Sequence, residues 1–256
     1  MLNFNLRHRV TRPLQGLIWN LKRPKGRLPD FLIIGGLKCG TSTLAQYLKA
    51  HPEINLIAKE SDEFHFFDSD RYYYGKNYYQ SHFTEVNKIQ GEKTPKYIFD
   101  KSCHAKMAKI VPNAKLILML RDPVKRAYSH WNHFNFDPKK SHWGRFDFET
   151  ALIEKPHILT RGHYMEQIDH LLKFYPREQL HIIIFEEFIK NSSYYCNQLF
   201  EFLKVRPFVN NHCYKVNSHN YQTTITKTLE KKLSDYYAPY NRALFDFLGH
   251  TIEEWN

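Results

Sequence analysis

The hydrophobic positions of this 256-residue chain gather into short, dense runs separated by longer stretches with helical spacing. The runs are Phe31–Ile34, "KLILML" at Lys115–Leu120 and "HIIIF" at His181–Phe185, with a weaker one near Ile89–Thr94. Each is bounded by polar residues and largely lacks alternation. A strand with one face in water alternates; a run apolar at every position fits a strand buried on both faces of a parallel sheet. Helical patterns cover Thr41–Ala50, Lys101–Ile110, Val124–Phe136, Gly162–Phe174, Ser192–Leu203 and Thr226–Leu248. Pro112 follows the second of these, and Pro123 opens the third as a first-turn proline. Strands alternating with helices predict a doubly wound α/β layer. In such folds ligands bind beyond the carboxyl ends of the strands. The strand-to-helix junctions at 35–42 and 121–129 are therefore the places to look for chemistry.

The first junction reads "GGLKCGTST". Gly35 and Gly40 keep the glycine spacing of the Walker pattern G-x-x-x-x-G-K-[ST]. Thr41 stands where that pattern has lysine, and the lysine lies upstream at Lys38. The expected fold is accordingly a P-loop-like three-layer α/β/α sandwich around a central parallel sheet. Backbone amides of residues 38–42, at a helix N-terminus, suit an anion, and Thr41, Ser42 and Thr43 add hydroxyl donors. The plainer reading is a glycine turn whose helix is capped by Thr or Ser. The second junction reads "LILMLRDPVKRAYSHW". Arg121 leaves the end of a strand, and Ser129 lies about two turns into the next helix. Both suit a second phosphate, because a guanidinium matches phosphate geometry. Alternatively, Arg121 and Asp122 simply cap the helix.

Composition narrows the partners. Net charge is +11, and aromatic residues reach 16% with 17 Tyr and 19 Phe. A basic surface favours anionic partners, or serves solubility alone. The four cysteines, at 39, 103, 196 and 213, have no C-x-x-C spacing, which speaks against a disulfide framework or a zinc site and for a reducing compartment. Residues 1–29 form a basic arm without the apolar core of a secretory signal or membrane span. Within it Leu14, Leu17, Ile18 and Leu21 fall on one face of a short amphipathic helix, suited to a membrane surface or to packing on the domain. Residues 30–256 read as one domain.

Four segments together resemble the sulfotransferases. "GGLKCGTST" with Lys38, and "LRDPVKRAYSHW", look like the family's two phosphosulfate-binding signatures. "DEFHFFD" at 62–68 is similar to the segment that carries the catalytic glutamate in heparan sulfate sulfotransferases. "GEKTPKYIF" at 91–99 is similar to their lysine-bearing strand. The later helix–strand unit at 161–188 and the final helix, "YYAPYNRALFDFLG", extend the match over roughly residues 30–255. The resemblance implies a co-substrate, 3′-phosphoadenosine 5′-phosphosulfate, and no metal. It implies that Lys38, Cys39, Gly40, Thr41 and Ser42 hold the 5′-phosphosulfate, that Arg121 and Ser129 hold the 3′-phosphate, that Glu63 is the base, and that Lys93 lies near the transferring group. Sulfuryl transfer needs only a base for the acceptor proton and cations for the departing phosphate.

The rival base is His65, since cytosolic sulfotransferases use a histidine; in the "EFHFF" pattern this histidine instead supports the glutamate. An extended 63–67 would put Glu63 and His65 on one face. The stretch "DRYYYGKNYYQSHF" at 70–83, with Trp131, His133, Trp143 and Arg145, offers rings and bases to a sugar acceptor, or packs the core. Relatives in the Golgi carry a C-terminal Lys-Gly loop closed by a disulfide. Here the matching region, 211–224, has Cys213 with no nearby partner, and Lys215, Asn217 and His219 are the candidates for the phosphate contact. The expected molecule is a soluble, bacterial-type enzyme of the cytoplasm with peripheral membrane contact through the arm. It transfers a sulfuryl group to a hydroxyl or amino group of a glycan or glycolipid and has no nucleic-acid partner. The alternatives are a P-loop kinase and a non-catalytic module that binds anionic glycans.

Overall fold

The computed structural model describes residues 16–19, 21, 25–57, 63–137, 144–209 and 224–255. Five strands form one sheet in the order β2-β3-β1-β4-β5. They are β1 (Phe31–Gly35), β2 (Ile54–Ile57), β3 (Ile89–Lys93), β4 (Lys115–Leu120) and β5 (Leu180–Ile184). Every pairing is parallel. The helices are α1 (Thr41–Ala50), α2 (Gly75–Gln80), α3 (Lys101–Ile110), α4 (Pro123–Phe136), α5 (Phe148–Glu154), α6 (His157–Thr160), α7 (Tyr164–Leu171), α8 (Phe185–Lys190), α9 (Ser192–Leu203) and α10 (Lys227–Leu248).

Two cores explain why β1 and β4 are apolar at every position. Leu32 and Ile34 of β1, with Leu116, Leu118 and Leu120 of β4, face Met107 of α3, Ile168 of α7 and Leu244 of α10. Phe31 and Ile33, with Ile117 and Met119, face Leu44 and Leu48 of α1 and Leu199 of α9 on the other side. Successive side chains point to opposite faces, so a strand covered by helices on both sides has no polar position to spare. This is the three-layer sandwich expected.

Element boundaries differ from the sequence expectation in places with a physical cause. The pattern Gly162–Phe174 is split: α6 ends before Arg161–Gly162, and only Tyr164–Leu171 continues as helix. Gly162 sits so close to Tyr237 that a Cβ would meet the ring at 2.6 Å. Phe185 is not the end of β5 but the first residue of α8. β2, α2, α5, α6 and α8 were not foreseen; β2 is only four residues long and alternates in burial.

The chain reverses its direction of travel across the sheet between β1 and β4. β1 has β3 on one side and β4 on the other, so the loops after β1 and β4 border the crevice in which such folds bind ligands. The turn into α1 ends at Gly40, with φ +89°, where a Cβ would lie 2.4 Å from the Phe185 ring. A side chain there meets both a left-handed backbone and a packed ring, each worth about 1–3 kcal/mol. Gly40→Ala is expected to destabilise the domain by about 2 kcal/mol or more in urea unfolding; a change below about 0.5 kcal/mol would contradict this packing.

Candidate active site

The loop after β1 is tied down from β4: the Gly36 amide donates to the Met119 carbonyl at 2.6 Å. Its left-handed turn includes Lys38, at φ +68°. The α1 N-terminus is capped by Gly40, so no side chain satisfies its first-turn amides, and those groups are what an anion would meet. The Cys39 amide is already used, donating to Gly36 O at 3.2 Å. Cys39 itself is buried with its thiol 3.8 Å from the Tyr164 hydroxyl, and burial pushes it up to about 11. It is a packing residue, not a nucleophile.

Arg121 lies at the end of β4, 5.0 Å over the Phe185 ring, with Nη1 3.4 Å from the Lys38 carbonyl. The Tyr164 hydroxyl donates to the Arg121 carbonyl at 2.6 Å. Asp122 caps α4 through the Val124 and Lys125 amides, so this residue is a structural cap. Ser129 is buried within α4. Two residues that the sequence reading passed over lie close by, Arg126 in the same helix and Arg161 just after α6. Arg126 is 1% exposed, and its guanidinium reaches the Ile158 carbonyl and His130 Nδ1. Arg161 stacks 4.0 Å over Phe99, and burial followed by the charge of Arg126 lowers it to about 10. His130 is held well below the ordinary histidine value by burial, then by Arg126, Arg161, His157 and Lys38. The buried Nε atoms of Arg121, Arg126 and Arg161 have no hydrogen-bond partner. Desolvated cations with open donors fit a multiply charged phosphate compound.

The base segment is built differently. Residues 63–65 are neither helix nor strand, and His65 has φ +53°, so the segment is not extended as expected. Glu63 and His65 meet nevertheless: His65 Nε2 is 3.0 Å from Glu63 Oε2, and His65 Nδ1 is 2.8 Å from Asp68 Oδ2. Lys96 Nζ lies 3.3 Å from the same Asp68 oxygen. Bonds to Asp68 and Glu63 raise His65 to about 9, against the opposing effect of burial. His65 is thus an imidazolium at neutral pH. A group already protonated cannot take a further proton, so within this pair proton uptake would fall to Glu63.

One dipeptide joins the two halves. Lys93, at the end of β3 and 3% exposed, donates from Nζ to Ser42 Oγ at 3.2 Å. Thr94 Oγ1 accepts from the Phe64 amide at 3.2 Å and the His65 amide at 3.1 Å. Lys38, Ser42, Lys93, Glu63 and His65 are therefore assembled around the β1 and β3 ends. Lys215, Asn217, His219 and Trp143 lie outside the described residues. Trp131 is core, edge-on to Phe136 and tilted against Tyr128 and Phe148. Arg145 is spent on the Asn135 carbonyl at 2.6 Å. Of the tyrosine-rich stretch, Tyr79 is fully buried and Tyr73 is exposed. A cleft of about 500 Å³, whose lining includes Lys96, Lys101 and Arg161 but also Asp100 and Glu166, adjoins the Lys96–Asp68 pair. Among the described residues no group of three or more His, Cys, Asp or Glu is placed to hold a metal ion.

The sulfotransferase domain family model matches residues 28–242. This chain belongs to the sulfotransferase domain family. It is 30% identical over 224 residues to the bifunctional heparan sulfate N-deacetylase/N-sulfotransferase of Drosophila melanogaster, covering 75% of this chain and 21% of that one. It is 37% identical over 147 residues to the membrane-associated sulfotransferase kil1 of Dictyostelium discoideum, covering 53% of this chain and 30% of that one. The chain thus spans about a fifth to a third of the length of these relatives. A sulfotransferase crystal structure from Alicyclobacillus acidocaldarius superposes with a TM-score of 0.73 at 25% identity, covering 89% of this chain and 98% of that one.

The His65 assignment has a direct check. By NMR, the imidazole is expected to titrate near pH 9, and in Asp68→Asn to move back towards the ordinary value of 6.5. Its folded value is raised, so the ordering it provides is complete below about pH 6.5 and is lost as pH rises through about 9. An imidazole titrating near 6.5 in the unaltered protein would remove the imidazolium argument.

Proposed function

We propose that this chain transfers a sulfuryl group from 3′-phosphoadenosine 5′-phosphosulfate to a hydroxyl or amino group of a glycan or glycolipid. The observation that carries the reading is the 93–94 junction. Lys93 reaches the phosphate loop through Ser42, and the next residue holds the backbone that bears Glu63. Base and cations are thereby fixed to one strand end, as a displacement between two bound substrates requires.

Glu63 takes the proton of the acceptor as its oxygen or nitrogen bonds to sulfur. Lys38 and Lys93 stand against the phosphate oxygen that keeps the electron pair of the breaking sulfur–oxygen bond. His65, charged and held between two carboxylates, orients Glu63. The loop after β1 and the Ser42 hydroxyl suit the 5′-phosphate. Arg121 and Ser129 suit the 3′-phosphate, with Arg126 and Arg161 adding positive potential behind them. The adjoining cleft carries both signs, Lys96, Lys101 and Arg161 beside Asp100 and Glu166, which suits a polar acceptor such as a sugar. The names of the glycan-modifying relatives support the same acceptor class. The open guanidinium donors favour this reading over an uncharged co-substrate, and the displaced lysine disfavours a P-loop kinase.

Glu63→Gln is expected to lower turnover by about 10³-fold, the scale of losing a general base, while still binding 3′,5′-bisphosphoadenosine. Lys38→Ala is expected to lower turnover by about 10²–10³-fold. Transfer of labelled sulfate to a panel of acidic and neutral glycans measures both. Near-native turnover by Glu63→Gln would overturn the base assignment, and stabilisation of the protein by ATP with magnesium, and not by the bisphosphate, would favour a kinase.

The N-terminal segment supports a further part of the reading: residues 1–29 as an arm that meets an anionic membrane surface. Trp19 packs edge-on to Tyr78 with ring centroids 5.3 Å apart, and Asn77 donates to its carbonyl at 3.3 Å. Leu17, Ile18 and Leu21 are left 58%, 54% and 80% exposed. Arg7, Arg9, Arg12, Lys22, Arg23, Lys25 and Arg27 flank them, with no acidic residue before Asp30. An apolar face among cations suits an anionic bilayer. Co-sedimentation with phosphatidylcholine–phosphatidylglycerol vesicles, absent with phosphatidylcholine alone and reduced at least tenfold by combined Leu17→Gln, Ile18→Gln and Leu21→Gln, is the expected result. Equal binding by the triple variant would leave charge alone as the cause.

A further inference from the structure

Glu92 has no part in the chemistry just described, yet it is the most unusual charged residue in the fold. It is 0% exposed in β3 and accepts three hydroxyl hydrogen bonds: from Thr94 to Oε2 at 2.8 Å, and from Tyr97 at 2.8 Å and Tyr79 at 3.1 Å to Oε1. Burial raises its carboxyl to about 7, opposed by those same three bonds. Buried carboxylates are rare unless paired, and here hydroxyls take the place of a cation.

Two of these hydroxyls have a second task. Thr94 Oγ1 accepts from the Phe64 and His65 amides. The Tyr97 oxygen accepts from the Phe66 amide at 2.8 Å and the Phe67 amide at 3.4 Å. Four consecutive backbone amides thus reach two side chains, and only the first of them, that of Phe64, also has a backbone acceptor, the Lys93 carbonyl at 3.3 Å. A hydroxyl has one proton. An oxygen that receives two amide protons must send its own elsewhere, and Glu92 is the acceptor that fixes that direction for both. Phe64, Phe66 and Phe67 bury against Tyr79 and Phe83, while Glu63 and His65 remain partly exposed.

We infer that Glu92 is a positioning residue for sulfuryl transfer: it sets the donor direction of the Thr94 and Tyr97 hydroxyls, and through them the backbone that carries Glu63 and His65. Glutamine at this position cannot do the same. Its amide must present N–H towards either Thr94 or the tyrosines, and the Thr94 and Tyr97 oxygens each already receive two amide protons. One of the two hydroxyls then turns, and the segment loses its anchor. The turnover consequence rests on the proposed function; the backbone consequence does not.

The test is amide hydrogen exchange together with kinetics on the full chain. In Glu92→Gln, exchange at Phe64–Phe67 is expected to rise about tenfold or more, the scale of one lost hydrogen bond, with Leu32–Ile34 unchanged. Turnover is expected to fall about 30–100-fold, as for a misplaced catalytic group, with the affinity for 3′,5′-bisphosphoadenosine unchanged. Tyr97→Phe keeps the ring and removes only the hydroxyl, and is expected to reproduce the effect at Phe66–Phe67. Thr94→Ser keeps the hydroxyl and should resemble the unaltered protein, whereas Thr94→Val should not. Unchanged exchange at 64–67, or an equal rise throughout β1, would overturn the inference. A local rise in a protein that shows no sulfuryl transfer would uphold the positioning and reject the proposed function instead.

Discussion

The site depends on the period-two geometry of one strand end. In β3, Glu92 points into the core shared with Tyr79 and Tyr97, Lys93 points across the sheet to Ser42 at the start of α1, and Thr94 returns to the side of Glu92. Successive side chains alternate between faces, so three adjacent residues serve a buried carboxylate, the phosphate loop and the base segment without competing for space. The parallel pairing of β1 with β3, with Ile33 opposite Lys93, brings these residues level with the loop after β1. A slip of one position would exchange the faces and send the lysine into the aromatic core.

Much of this was legible in the chain. The helices Thr41–Ala50, Lys101–Ile110 and Ser192–Leu203 were read to the residue, because each begins after a turn and carries an apolar face suited to one side of a sheet. The two strand-to-helix junctions were legible because glycine and proline mark them locally. What the sequence could not carry lies in long-range pairs. Arg126 and Arg161 are 35 positions apart, yet each lowers the other's neighbours electrostatically. Nothing in "VKRAYS" distinguishes a buried arginine from a surface one. The tyrosine-rich stretch was ambiguous for the same reason: Tyr79 closes the core behind the base segment and Tyr73 faces solvent, although both are tyrosines in a polar run.

Glu63 and His65 are brought together by a local geometry other than an extended one. An extended backbone was the route expected. Instead His65 adopts a positive φ, a conformation histidine tolerates better than most non-glycine residues. The turn lets both ring nitrogens reach carboxylates, Glu63 on one side and Asp68 on the other. A strictly extended strand would place Asp68, three positions on from His65, too far along the chain and on the opposite face for the second contact. The bend therefore costs backbone strain and gains a fixed imidazolium.

The opposite arrangement of charge on the two sides of the crevice follows from what each side must do. Around α4 the guanidiniums of Arg126 and Arg161 are desolvated with open Nε donors, and His130 is kept neutral among them. Such a cluster is costly by itself and becomes favourable only against an anion, so its strain is conditional on the co-substrate. Around β3, by contrast, Glu92 is satisfied within the fold by three hydroxyls. One side is left with unsatisfied donors, and the other is closed by hydrogen bonds within the fold. Interchanging these designs would defeat both: a prepaired arginine cluster would bind phosphate weakly, and an unsatisfied Glu92 would free the segment that holds Glu63.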